Sequence, residues 1–134
     1  MGSRLAVLAL AMGGLLLLWA LVRGGAAWRA SRRVNRLRDP GLTAGRPTVL
    51  FFTGERCGVC KYRQRPALDR LVAERDGLNV VELDAARESK LARRFGVLSL
   101  PTTVVMAADG RVGAVNYGYA PREQLGAQLD SVAS

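Results

Sequence analysis

Residues 51–62 read FFTGERCGVCKY and hold both cysteines of this 134-residue chain, Cys57 and Cys60, two residues apart. The stretch leaves an apolar, β-prone segment and turns helical from Gly58. A Cys-x-x-Cys pair at such a junction is a metal clamp, a structural staple or a redox couple. A closed zinc site takes four ligands, usually Cys or His, and the chain has two cysteines and no histidine. Two thiolates suffice for linear Cu(I), so a copper-carrier module stays open. A staple closing so short a loop removes little unfolded-state entropy, less than the about 3 kcal/mol of a 15-residue loop.

Local chemistry favours the redox couple. Cys57 stands at the start of the helix, where unpaired N–H groups and the positive dipole end stabilise a thiolate. Cys60 lies one turn further on the same face, within reach of a mixed disulfide at Cys57. Gly58 removes bulk between the sulfurs, Val59 completes the intervening pair, and Arg56 and Lys61 add positive charge.

Outward from this stretch the chain alternates. TVLFFT (48–53) reads as a buried strand after Pro47. A helix is expected from Gly58 to about Arg75, with Val59, Tyr62, Leu68, Leu71 and Val72 on its inner side and a kink at Pro66. LNVVELD (78–84) is a second strand, and residues 86–95 form a short helix with Gly96 as its C-cap. Two further strands meet at Ala108-Asp109-Gly110, a strong hairpin signal. Pro121 opens a last helix whose stripe is Leu125, Leu129 and Val132. The order β-α-β-α-β-β-α predicts an α/β fold with a mixed sheet, its first two strands parallel and its last pair antiparallel.

Residues 5–22 carry no charge over 18 positions. As a helix they would span about 27 Å, close to the ~30 Å hydrocarbon core. The expectation is a transmembrane anchor over 1–23, an Arg-rich juxtamembrane segment and linker over 24–46, and a folded domain over 47–134. A cleaved signal peptide competes, with Arg4 as its n-region and a small-residue site after Ala27. The apolar run exceeds the usual ~7–15-residue h-region, however. Trp19 and Trp28 also sit where interfacial anchors belong.

Charge follows the same division. Residues 1–46 hold eight Arg and one Asp, whereas residues 47–134 hold twelve basic and ten acidic residues. The +9 net charge therefore belongs mainly to the tether, and a near-neutral domain lacks the basic face that nucleic acid requires. Six Arg follow the apolar run, so the positive-inside rule puts the domain in the cytoplasm. The same segment attracts anionic lipid headgroups.

Over about residues 46–133 the sequence resembles the thioredoxin superfamily. CGVCK is similar to that family's CGPCK motif, and LSLPTT to its apolar residue, cis-proline and Thr. Pro101 follows Cys60 by 41 positions, close to the family interval. DGRV (109–112) and GYAPREQL (118–125) resemble the turn after the next strand and the Gly before the final helix. The resemblance implies a thioredoxin-like fold and a thiol–disulfide oxidoreductase that needs no bound cofactor, because the dithiol carries two electrons. Its partners would be protein disulfides or dithiols and an electron-donating reductase or membrane redox partner. Cys57 would attack and Cys60 resolve, forming the redox-active disulfide. A cis Pro101, with Leu100 before it and Thr102 after it, would bind the substrate backbone as a short β-augmentation.

Departures are equally specific. Arg56 and Thr53 stand where tryptophans are usual, and Phe51 replaces a buried Asp that accepts the resolving cysteine's proton. Glu82, on the neighbouring strand, is the candidate to take that role as the base, provided it is buried; an exposed strand glutamate is the equal alternative. Pro66 follows Cys60 one residue later than in thioredoxin itself, which shifts the helix register. The family's first strand and helix are missing, and segment 26–38 is the candidate replacement for that helix. Tethered thioredoxin-like proteins that face outward, reducing cytochrome c precursors or envelope thiols, oppose the orientation read from charge. A redox-inactive docking domain on the same fold is the remaining alternative.

Overall fold

The computed structural model describes residues 1–133, the side chains at 27, 28 and 30–36 lying outside the description. The anchoring role expected of Trp28 and most of segment 26–38 falls on those side chains. The chain divides into two units, Met1–Arg33 and Val34–Ser134. The first is helix α1, which continues to Arg36 (Gly2–Arg36). Within it Gly2–Ala26 contains an 18-residue apolar window, none of which is buried. By length and composition this stretch can cross a membrane. The Arg23 guanidinium lies 4.7 Å from the Trp19 ring at the end of the apolar run.

The second unit contains α2 (Pro40–Thr43), β1 (Thr48–Thr53), a π turn (Cys60–Gln64) leading into α3 (Arg65–Glu74), β2 (Asn79–Asp84), α4 (Ser89–Arg94), β3 (Thr102–Met106), β4 (Val112–Tyr117) and α5 (Arg122–Ala133). The strands form one sheet in the order β2-β1-β3-β4. β1 pairs parallel with β2, and β3 pairs antiparallel with both β1 and β4. The expected order and strand directions therefore hold. β1 reads as a continuous apolar run because it is covered on both faces. Val49 and Phe51 pack with Cys60, Leu68, Leu71, Leu125 and Leu129, while Leu50 and Phe52 pack with Ala92, Phe95, Val104 and Met106. Burying each Phe contributes about 1.5–3 kcal/mol.

Two helices differ from expectation for identifiable reasons. α4 is shorter than 86–95 because the Asp84 carboxylate accepts the Ala86 and Arg87 N–H groups, holding that segment in a turn. Gly96 closes α4 as expected, with its N–H donating to the Arg93 carbonyl. The helix after Cys57 keeps Leu68 and Leu71 inside but leaves Val59, Tyr62 and Val72 exposed. Its buried stripe is Cys60, Gln64, Ala67, Leu68 and Leu71. Counting apolar residues alone selected Tyr62 and missed Gln64. The Arg65 N–H reaches back five residues to the Cys60 carbonyl, so the widened turn takes up the extra residue before the proline.

The compact unit starts before residue 47, because residues 37–43 are built into it. Leu37 and Leu42 pack against the Leu50–Phe52 face. The Asp39 carboxylate caps α2 through the Gly41 N–H at 3.0 Å and receives the Arg94 guanidinium at 2.7 Å. Arg94 also donates to the carbonyls of Leu37 and Arg38. That Arg94 hydrogen bond, together with the guanidinium's charge, holds the Asp39 carboxyl below its ordinary pKa. The Asp39 N–H donates to the Gly110 carbonyl, and the Thr43 hydroxyl to the Ala108 carbonyl at 2.8 Å.

This segment lies so close to the β3–β4 turn that Gly110 cannot carry a side chain. Its φ is 88°, and an added Cβ would sit 2.5 Å from the Pro40 nitrogen. Gly110→Ala therefore combines a left-handed backbone penalty with an overlap against backbone. The expected loss is about 2–4 kcal/mol, read by denaturant unfolding of the full chain in detergent micelles. Unchanged stability would show that residues 37–43 do not hold the turn.

Candidate active site

β1 ends at Thr53, and the chain turns through Gly54, Glu55 and Arg56 before the helix begins. The Cys57 N–H donates to the Gly54 carbonyl, and the Cys57 carbonyl accepts the Lys61 N–H, the first helical bond. Cys57 is thus the residue that caps the helix. Its Sγ receives the Cys60 N–H at 3.2 Å, the bond a Ser or Asp oxygen makes at this position. An N–H aimed at sulfur favours its charged form, as does the positive end of the helix.

The two sulfurs are joined at 2.08 Å, with a Cα–Cα distance of 5.3 Å. Their surroundings differ sharply. Cys60 is 1% exposed and packed against Val49, Phe51 and Leu68. Cys57 is half-buried and Gly58, Val59 and Lys61 beside it are exposed, so only Cys57 is open to a second molecule.

A third strand of chain reaches the same place. The Leu100–Pro101 bond is cis, and Pro101 is buried. Leu100 lies over Gly54, where an added Cβ would be 2.8 Å from Leu100 Cδ1. The Pro101 carbonyl is occupied by the Gly118 N–H at 2.8 Å, whereas Leu100 makes no backbone hydrogen bond among the described residues. Thr102 is fully buried and its hydroxyl donates to the Ser99 carbonyl. Its side chain holds the loop and does not face outward.

Glu82 lies opposite Phe51 in the parallel register, but on an edge strand. There its carboxylate is 47% exposed and paired with Arg65. The burial on which its role as base rested is absent, because no strand covers that edge among the described residues. It nevertheless lines an open groove of about 480 Å³ shared with Cys57, Arg56, Lys61 and Arg65.

Gln64 is the positioning residue that apolar counting missed. It is 0% exposed, and its amide donates to the Ala120 carbonyl at 3.0 Å while accepting the Ala120 N–H at 2.9 Å. One side chain thereby ties the helix carrying Cys60 to the segment that follows Gly118. Arg63 reinforces the tie, its guanidinium 4.5 Å from the Tyr119 ring. The available signal was spacing: Gln64 is one turn beyond Cys60, on the inner face. Among the described residues, no cluster of three or more His, Cys, Asp or Glu is gathered to hold a metal.

Comparison with known proteins agrees with this geometry. Residues 42–133 match the thioredoxin-like domain family. A thioredoxin of Alicyclobacillus acidocaldarius is 32% identical over 92 residues, covering 68% of this chain and 86% of its own length. The mitochondrial thioredoxin-2 of Schizosaccharomyces pombe is 32% identical over 92 residues, covering 65% and 68%. The oxidised form of mitochondrial thioredoxin 3 from Saccharomyces cerevisiae superposes with a TM-score of 0.58 at 22% identity, covering 75% of this chain and 89% of that one.

Gln64→Leu would keep the volume and strand both polar groups of Ala120 in a buried place. The expected cost is about 2–4 kcal/mol, measured by chemical denaturation of the oxidised chain. A loss below ~0.5 kcal/mol, the range of an ordinary surface substitution, would show that the amide pair contributes nothing.

Proposed function

Because the chain belongs to the thioredoxin superfamily and has its thiol–disulfide oxidoreductase chemistry, we propose that it is a membrane-anchored enzyme exchanging disulfides with protein substrates through its Cys-Gly-Val-Cys pair. The observation carrying this reading is the asymmetry of the pair: Cys57 open at a helix start with an N–H on its sulfur, Cys60 sealed behind it.

In the reduced state the Cys57 thiolate attacks one sulfur of a substrate disulfide, and the other substrate sulfur leaves as a thiolate. Cys60 then gives up its proton and attacks Cys57 Sγ. The Cys57–Cys60 disulfide forms and the second substrate thiol is released, so two electrons pass to the substrate. An electron-donating reductase or membrane redox partner restores the dithiol. The free backbone groups of Leu100, next to cis-Pro101, pair with the extended substrate chain, and Thr102 fixes that loop from within. Arg56, Lys61 and the first turn at Gly58 and Val59 favour the thiolate.

Glu82 enters as a solvent-linked proton acceptor in the groove beside Cys57, since it is not a buried base. The apolar segment, ending in Trp19 and Arg23, supports an uncleaved anchor over a signal peptide, and the Arg excess after it supports a cytoplasmic domain.

In cells, the full chain carrying Cys60→Ser is expected to accumulate mixed disulfides that reducing agent dissolves, while Cys57→Ser accumulates none. A membrane-impermeant maleimide should reach Cys57 only after permeabilisation. Absence of trapped adducts would overturn the exchange reading, and labelling of intact cells would place the domain outside. Glu82→Gln should lower the exchange rate by no more than about fivefold between about pH 6 and 9, against the ~10²–10⁴ of a directly acting base. A larger loss would restore Glu82 as that base.

A further inference from the structure

The sheet ends in β2 on one side and β4 on the other, and the two edges differ. β4 is blunted: Val105 pairs with Ala114 and Met106 with Val112, so Gly113 bulges out of the ladder. β2 pairs with β1 without interruption from Asn79 to Asp84, and its sequence, NVVELD, includes no Pro, Lys or Arg. The Asn79 and Ala85 N–H groups donate to the Pro47 and Thr53 carbonyls. A parallel ladder alternates, so Val81 and Leu83 also turn toward β1, and the backbone groups of Val80, Glu82 and Asp84 point away from it. Of these, the Asp84 carbonyl receives the Glu88 N–H; the others have no backbone partner among the described residues.

The side chains of β2 leave the edge equally open. Val80, Val81 and Leu83 pack against the two cores yet stay half-buried. Its two charges, which would otherwise repel an incoming strand, are occupied. Glu82 pairs with Arg65, and the Asp84 carboxylate accepts the Ala86 and Arg87 N–H groups. An edge with free backbone groups and half-covered apolar side chains is a template for a further strand.

We infer that this edge is covered by the β2 strand of a second copy, paired antiparallel about a two-fold axis at Val81, so that one sheet runs through both copies. Charge selects the register. Centring the axis on Glu82 would set that carboxylate against its own counterpart, and centring it on Leu83 would set Glu82 against Asp84. Centring it on Val80 would oppose Glu82 to Leu78, whose N–H already donates to the Arg75 carbonyl. With the axis at Val81 no like charges face each other. Val80 of each copy lies opposite Glu82 of the other, both with outward backbone groups, and each such pair exchanges both hydrogen bonds. Val81 meets Val81 at the axis as a non-hydrogen-bonded pair, and Leu83 lies opposite Asn79. One strand thus supplies both halves of the pattern, as a contact between identical surfaces requires.

The test uses the full chain in neutral detergent micelles. Sedimentation should show a dimer, and Val81→Lys, which brings two ammonium groups together at the axis, should raise its dissociation constant at least about 100-fold. Circular dichroism should show the fold of that variant unchanged. Val80→Pro removes only an outward N–H, because Val80 does not donate to β1, and should likewise give monomers. Contact at the axis is read in the chain that also carries Cys57→Ser and Cys60→Ser. There Val81→Cys should form a symmetric disulfide under copper–phenanthroline at least about tenfold faster than Leu98→Cys. Leu98 serves as the control because it is exposed and lies outside β2. A monomeric parent chain, a dimer that survives both β2 variants, or equal crosslinking at the two positions overturns the assignment. Crosslinking of Val81→Cys to a different protein in isolated membranes gives the edge to another partner and overturns the second copy.

Discussion

β1 is hydrogen-bonded on both edges and covered by apolar side chains on both faces. A strand so placed can be satisfied only if the chain returns to it several times: once in parallel through a crossover helix, once antiparallel, and with helices closing over each face. The crossover helix must then begin immediately beyond the C-terminal end of β1. That is where Cys57 stands, so the packing demand of the central strand also puts a helix start against a sulfur.

The reactive end of the molecule is assembled from three separate lengths of chain. The helix start orients Cys57, the cis Leu100–Pro101 loop leans over Gly54, and the segment after Gly118 is held by Pro101 on one side and Gln64 on the other. Each tie is a hydrogen bond or close contact between groups distant in the chain. Together they keep one sulfur open and the other sealed, and that difference gives a symmetric-looking pair two distinct roles. The opposite end of the sheet is secured by residues 37–43, where Arg94 ties Asp39 and the carbonyls before it to α4.

Signals local in sequence survived into the structure. The buried run of β1, the Asp109-Gly110 turn, Gly96 behind α4 and the Leu125–Leu129 stripe each depend on a few neighbouring residues, whose backbone or pattern preferences suffice. Signals that required knowing what lies opposite did not survive as well. Glu82 reads as the neighbour of a central strand, yet β2 is an edge strand, so its carboxylate meets solvent and Arg65. Gln64 has no place in an apolar stripe, yet Ala120 presents both backbone groups to it, and a buried amide with both ends paired costs little. The inner face of the Cys60 helix was misjudged for the same reason, Tyr62 being counted where Gln64 packs.

By itself the sequence determined the cysteine pair at a strand-to-helix junction, the order of strands and helices, the long apolar segment before an Arg-rich stretch, and the resemblance to thioredoxins. These rest on composition, period and spacing, which are properties of short lengths of chain. Only the tertiary structure decided which cysteine is exposed, where the extra residue before Pro66 is absorbed, which polar side chains are buried, and that a charged groove opens beside Cys57. Each of those depends on solvent access and on partners brought together from far along the chain. Burial and pairing are set by what packs across a gap, and no local window contains both sides of it.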